Sequence, residues 1–173
     1  MRKGEFMKQI GEVIQEMIEY YAGDTKRISH FLKVYAYAKT IAELEGLDKE
    51  AREILEVTAV VHDIGIKVSE RKYNSSAGNY QQIEGPLVAD PMLVKLGYDR
   101  AFIKRVCYLI AHHHTYHNIT EKDYQILVEA DFLVNLEEDK ASEETIRNVY
   151  RNIFRTETGK TILQNVFKIK TTV

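Results

Sequence analysis

The chain has 173 residues, 45% of them apolar and 29% charged, with nine glycines, two prolines and one cysteine. That length suits one domain with a buried core, and the composition excludes wholesale disorder and collagen-like or linker-like chains. Lysine and arginine number 24 against 26 acids, a net charge of −2 that gives no bulk attraction for a polyanion such as nucleic acid. A lone cysteine excludes an internal disulfide, and no run reaches the ~18 apolar residues of a membrane span. The expectation is a soluble cytoplasmic protein with no membrane partner.

Residues 5–21 set Ile10, Val13, Ile14, Met17, Ile18 and Tyr21 at helical spacing. Gly23-Asp24 interrupts, and Asp24 or Thr25 opens a second helix to about Glu45, with Ile28, Phe31, Leu32, Tyr35, Ala38 and Ala42 on its buried face. Gly46-Leu47-Asp48 is a stop followed by a start. The third helix runs from Lys49 to about Asp63 and ends at Gly65. Residues 67–83 are polar and read as a long loop, of the kind that is often functional. A fourth helix begins near Glu84 with Pro86 in its first turn; Pro91 kinks or splits it, and Gly97 closes it. Asp99 caps a fifth helix to about His114. Thr120 with Asp123 resembles a capping box, opening a sixth helix to about Leu136. Ser142 to about Arg155 is a seventh, and in residues 156–173 Ile162, Leu163, Val166 and Phe167 are placed to dock. The fold class is all-α: one domain, with a core over about residues 20–137, an N-terminal helix in 1–20 and a helical extension over 138–173. The apolar stripes of the first helix and the C-terminal segment suit a homodimer.

His62-Asp63 lies inside an apolar run, Ala59-Val60-Val61 before it and Ile64-Gly65-Ile66 after it. An isolated buried carboxylate costs several kcal/mol unless something positive compensates it. No lysine or arginine lies within the run, and a divalent cation would serve. Adjacent helical residues point ~100° apart, so the helix must end there for both to reach one ion, and Gly65 ends it. His30 precedes Leu47 by 17 residues and His62 follows it by 15. In an antiparallel hairpin the two lie at heights of about 25 and 23 Å, and so face each other. Asp131 has Leu127 and Val134 on its own helical face, so it is buried and needs a cation, whereas Glu129 points elsewhere, into solvent. Two imidazoles and two carboxylates around one divalent cation sum to zero charge and leave positions for water and substrate.

A lone His30, an adjacent His62-Asp63 followed by Ile64-Gly65, and a distant Ala130-Asp131 resemble the HD-domain superfamily of metal-dependent phosphohydrolases. The resemblance covers about residues 20–137 and includes Glu84-Gly85-Pro86, Lys95-Leu96-Gly97-Tyr98 and the segment from Ile110 to His114. It implies a helical bundle of about six to eight helices, and a divalent metal held by His30, His62, Asp63 and Asp131. Mn, Mg, Fe, Ni, Co and Zn all suit such mixed N/O ligands. The chain departs from the family in one place: two-metal members carry a histidine four residues before the glycine of the fourth helix, where this chain has Gln81. Glu84 and His112 are then candidates for an outer contact or a second-metal ligand. Three consecutive helical residues fan over about 200°, so His112, His113 and His114 cannot all face one site. His112 and His113 are expected inside, His114 and His117 outside.

Lys67 and Arg71 follow the His62-Asp63 turn and are candidate phosphate contacts. Tyr73, Tyr80 and Tyr116 are candidates for stacking a ring, and Cys107 reads as a buried thiol. The expected activity is metal-dependent hydrolysis of a small phosphate ester, nucleotide or pyrophosphate-type substrate. Asp63 acts as base, and Lys67 and His113 offset charge. Two alternatives stand beside it. One is a di-iron HD-type oxygenase, which needs two carboxylate-bridged metals. The other is a non-catalytic module that senses a nucleotide or docks a partner.

Overall fold

Short side chains start most of the helices. In this computed structural model, which describes residues 9–170, α1 spans Ile10–Tyr20, α2 Thr25–Leu44 and α3 Lys49–Val61. The Asp24 carboxylate accepts from Arg27 N and Asp48 from Ala51 N, each satisfying a donor that the first helical turn leaves free. After α4 (Ile66–Tyr73) and α5 (Gly78–Lys95) come α6 (Arg100–His112), capped by Asp99, and α7 (Lys122–Glu138). Then α8 (Glu143–Asn152) and α9 (Glu157–Phe167) start on the hydroxyls of Ser142 and Thr156. The described residues contain no strand, so the bundle is all-α. The expected helical stretch over residues 5–8 and the last three residues lie outside the described residues.

Helices α2, α3 and α7 form the centre, α1 packs on α3, and α5 pairs with α6. Phe31, Val34, Ala38, Leu55, Val60, Leu127 and Leu133 fill the middle without exposure. The two stripes expected to suit a homodimer are divided between core and surface. Val13, Met17 and Tyr21 of the first are buried while Ile18 is exposed, and Leu163 of the second is buried while Val166 is exposed. No described helix is long and apolar enough to cross a membrane.

Five expectations need correction. The polar stretch 67–83 is two helical segments joined by Asn74–Ala77, with Asn74 left-handed at φ 52°. Packing of α4 against α5 overrides the weak local propensity of its polar sequence. Helix α5 therefore starts at Gly78, and both Pro86 and Pro91 lie within it without breaking it. Pro91 leaves the Leu87 carbonyl without a donor, and Leu87 is exposed to water, which can take that bond. Thr120 does not cap: its hydroxyl bonds the Glu121 carboxylate, and Asp123 holds Arg105 through two bonds of 2.9 and 2.6 Å. The helix after Ser142 stops at Asn152 and a separate α9 follows. Glu129 is fully buried rather than solvated. It accepts from Arg155 N at 2.6 Å, Thr156 N at 2.9 Å, Thr156 Oγ1 at 2.5 Å and Gln125 Nε2 at 2.7 Å. It thereby ties the α8–α9 corner to α7.

One crossing sets the position of the site. A Cβ on Gly65 would lie 2.6 Å from Gly85 N, and one on Gly85 would lie 2.5 Å from Ile110 Cγ2. Only glycines let the turn after α3 approach α5 and α6 this closely.

Candidate metal centre

Four helices bring side chains to one point. His30 comes from the second turn of α2, His62 and Asp63 from the end of α3, Asp131 from the middle of α7, and His113 from the end of α6. Helix α3 stops at Val61, and the next residues turn tightly: Ile64 N bonds Val61 O, and Ile66 N bonds Asp63 O. That turn lets two adjacent side chains face the same point. The Tyr21 hydroxyl braces it, reaching the carbonyl oxygens of Asp63 and Ile64 at 3.2 and 3.3 Å.

The four ligands expected from sequence converge. His30 Nε2 and His62 Nε2 are 3.3 Å apart, face to face across the α2–α3 hairpin. Asp131 Oδ1 lies 3.3 Å from the first and 3.5 Å from the second. Asp63 Oδ2 lies 3.9 and 3.6 Å from the same two nitrogens. The other Asp63 oxygen turns to His113 Nε2 at 3.0 Å and His114 Nε2 at 3.7 Å. His62, Asp63, His113 and Asp131 are buried, while His30 is partly open.

Three of the imidazoles have a fixed orientation. His30 Nδ1 meets Glu138 Oε2 at 3.0 Å, His62 Nδ1 meets the Ala59 carbonyl at 2.9 Å, and His113 Nδ1 meets the Ile110 carbonyl at 2.8 Å. Each acceptor favours a proton on Nδ1 and turns Nε2 toward the cluster.

The charges of the cluster suit a cation. Among the described residues no lysine or arginine bonds to Asp63 or Asp131; their partners are imidazoles and Asn135. Burial pushes both carboxyls up, yet the adjacent imidazoles outweigh it and hold them below the carboxylate range, Asp63 far below. Burial likewise pushes the His62 imidazole down, but Asp63 and Asp131 outweigh that and raise it to about 9. His30 is raised against burial by Asp131, and His113 is lowered by burial. The donor set fits a divalent ion: His30, His62 and Asp63, or His62, His113 and Asp131, present ligand atoms all within 4.8 Å of one another. Asp63, His113 and His114 form a further such group that shares Asp63.

Other expected residues lie elsewhere. His112 turns away, stacks on Tyr108 at 4.2 Å and bonds its carbonyl, and His114 faces the site instead. His113 keeps helical backbone angles, and the chain then turns, with Thr115 N bonded to His112 O. His114 Nε2 also meets Gln81 Oε1 at 3.1 Å. His117 is exposed. Glu84 is buried but held by Lys72 at 2.8 Å and by the Tyr73 hydroxyl at 2.7 Å, outside the ligand groups. Lys67 donates to the Tyr20 carbonyl at 2.8 Å and lies over the Tyr20 ring, away from the cluster. Arg71 is exposed, and its charge acts on Tyr20 and Glu84. Tyr73 and Tyr80 stack on each other, and Tyr116 meets Phe132 edge-on with its hydroxyl 3.4 Å from His114 Nδ1. Cys107 is only partly buried; burial pushes its thiol up to about 11.

A cleft of about 430 Å³ opens onto the cluster, with Lys26, Arg27, His30, Asp63, Asn135 and Glu138 in its walls. Sequence reading missed Arg27, Asn135 and Glu138, although their spacing carried a signal. Arg27 lies one turn before His30, and Asn135 and Glu138 follow Asp131 at i+4 and i+7, on one helical face.

The family model for the HD domain matches residues 27–165. The chain belongs to the HD-domain family. The match takes in every converging side chain of this HD protein, and Glu138 as well. Its fold is similar to the crystal structure of a predicted HD superfamily hydrolase from an uncultured Thermotogales bacterium. The TM-score is 0.65 at 23% identity, over 91% of this chain and 84% of that one. No curated protein matches the chain in sequence.

Proposed function

We propose that this HD protein is a cytoplasmic metal-dependent phosphohydrolase acting on a small phosphate ester, nucleotide or pyrophosphate-type substrate. The observation that carries the reading is the convergence of His30, His62, Asp63 and Asp131, with inward-facing Nε2 atoms and, among the described residues, no lysine or arginine bonded to the acids. A bound divalent cation supplies Lewis acidity there, which acidifies water and polarises a phosphoryl group. Asp63 is placed to take the proton of the attacking water. Its partner His113, 3.0 Å away, gives that proton a second acceptor. As the water oxygen bonds phosphorus, the ester oxygen leaves with its bonding pair and is protonated from solvent. Lys26 and Arg27, rather than Lys67 and Arg71, stand in the cleft wall where a phosphate would enter. A cleft of about 430 Å³ suits a small molecule better than a polymer.

A second reading, a two-metal oxygenase, draws on the group Asp63, His113 and His114, which shares Asp63 with the first set.

The test is a panel of small phosphoesters and nucleotides, run with the wild type and Asp63→Ala under added Mn²⁺, Mg²⁺, Co²⁺ or Ni²⁺. Turnover of at least one substrate is expected, falling by about a hundredfold or more in the variant. Equal activity in Asp63→Ala sinks the hydrolase reading. Two iron ions per chain together with oxygen consumption would favour the oxygenase.

A further inference from the structure

We infer that Glu138 is the positioning residue of the centre: it fixes which nitrogen of His30 carries the proton and so aims Nε2 at the metal. The inference rests on the metal site proposed above.

His30 differs from His62 and His113 in what orients it. His62 and His113 stand at the C-terminal ends of α3 and α6, where the last carbonyls have no helical partner. Each bonds such a carbonyl three residues back, Ala59 O and Ile110 O. Their orientation comes from their own helices. His30 sits inside α2, away from a helix end with free carbonyls, and its Nδ1 takes its acceptor from another helix. Glu138, in the last turn of α7, supplies it at 3.0 Å.

The acceptor is itself held. Lys33, one turn after His30, bonds Glu138 Oε1 at 2.8 Å, leaving Oε2 for the imidazole. On the inner side, Asp131 Oδ1 lies 3.3 Å from His30 Nε2 and attracts the same proton. Two carboxylates therefore compete for it. With Glu138 present, the proton stays on Nδ1 and Nε2 can coordinate; without it, Asp131 draws the proton to Nε2 and closes that coordination position.

The test is calorimetric titration of Mn²⁺ into the metal-free full chain, for wild type, Glu138→Ala, Glu138→Gln and Glu137→Ala. Nitrogen-15 NMR of the His30 tautomer accompanies it. Glu138→Ala is expected to weaken Mn²⁺ binding about 10- to 100-fold and to move the His30 proton to Nε2. Glu138→Gln keeps a carbonyl oxygen for Nδ1–H and is expected to recover most of the loss. Glu137→Ala, which removes only the other partner of Lys33, is expected to stay within about twofold of wild type. If Glu138→Ala does not fold, Glu138→Asp decides, since its shorter side chain falls short of Nδ1 and should lose affinity similarly. Wild-type affinity and an unchanged tautomer in the Ala variant overturn the inference and leave the metal site standing. So does a raised KM at unchanged Mn²⁺ affinity, which would put Glu138 on the substrate instead. A wild type that binds neither Mn²⁺, Mg²⁺, Co²⁺ nor Ni²⁺ overturns the metal reading itself and this inference with it.

Discussion

Where α6 stops decides which imidazoles reach Asp63. Had the helix continued past His112, His113 and His114 would point about 100° apart and His114 would face away. Instead the chain turns, His114 Nε2 comes within 3.7 Å of Asp63 Oδ1, and His112 stacks outside on Tyr108. His114→Ala is therefore expected to lower phosphoester turnover about tenfold, and His112→Ala to leave it within about twofold. Parallel kinetic measurements on the two variants check this, and the reverse ranking would restore the helical reading of the cluster. At this scale, the residues legible in the sequence were those whose burial is costly. Asp63 and Asp131 sit in apolar runs and demand a counter-charge, and hairpin geometry paired His30 with His62. Residues with a choice of partner were not legible. Lys67 took a neighbouring carbonyl, and Glu129, on the same helix as Asp131, turned to two backbone amides and a hydroxyl that sequence alone does not place.

Element boundaries show the same division. Helices that begin on Asp24, Asp48, Asp99 and Ser142 announce themselves, because a short acceptor must satisfy the first free amides. Helix α4 has no such signal: Gly65 provides no side-chain bond, and its polar sequence is helical only where it packs on α5. The Gly65–Gly85 approach is likewise silent in sequence, since a glycine after a helix reads as an ordinary stop. Its consequence is measurable. Gly65→Ala puts a methyl 2.6 Å from Gly85 N and 2.9 Å from its Cα, both backbone atoms that cannot rotate aside. A loss of about 2–4 kcal/mol is expected in urea unfolding. Gly11→Ala, inside α1 with nothing within 4 Å of the new methyl, should instead stabilise by up to about 1 kcal/mol. Equal effects at the two positions would mean that helix propensity, not the close crossing, governs both.

On the scale of the whole molecule, the centre is where helices otherwise far apart in sequence are joined. Asp131 on α7, His30 on α2, and His62 and Asp63 after α3 are brought together although 101 residues separate the first from the second. Among the described residues, this junction holds two buried acids whose cationic partners are imidazoles, and Asp63 and Asp131 raise His62 to about 9. An ion that binds only the folded arrangement stabilises it through mass action, by about 2.7 kcal/mol at a concentration one hundred times its Kd. For a chain of this size each kcal/mol moves Tm by about 2–4 °C, so saturating Mn²⁺ should raise Tm by about 5–10 °C. A chelator should reverse the shift. Asp131→Asn keeps the shape but removes one charge from the ligand set, and should abolish most of the shift while leaving the metal-free chain folded. Differential scanning calorimetry with and without Mn²⁺ measures all three. A wild-type Tm indifferent to every divalent ion tried would mean that the four side chains meet for structural reasons, as an acid–imidazole network closed by protons alone.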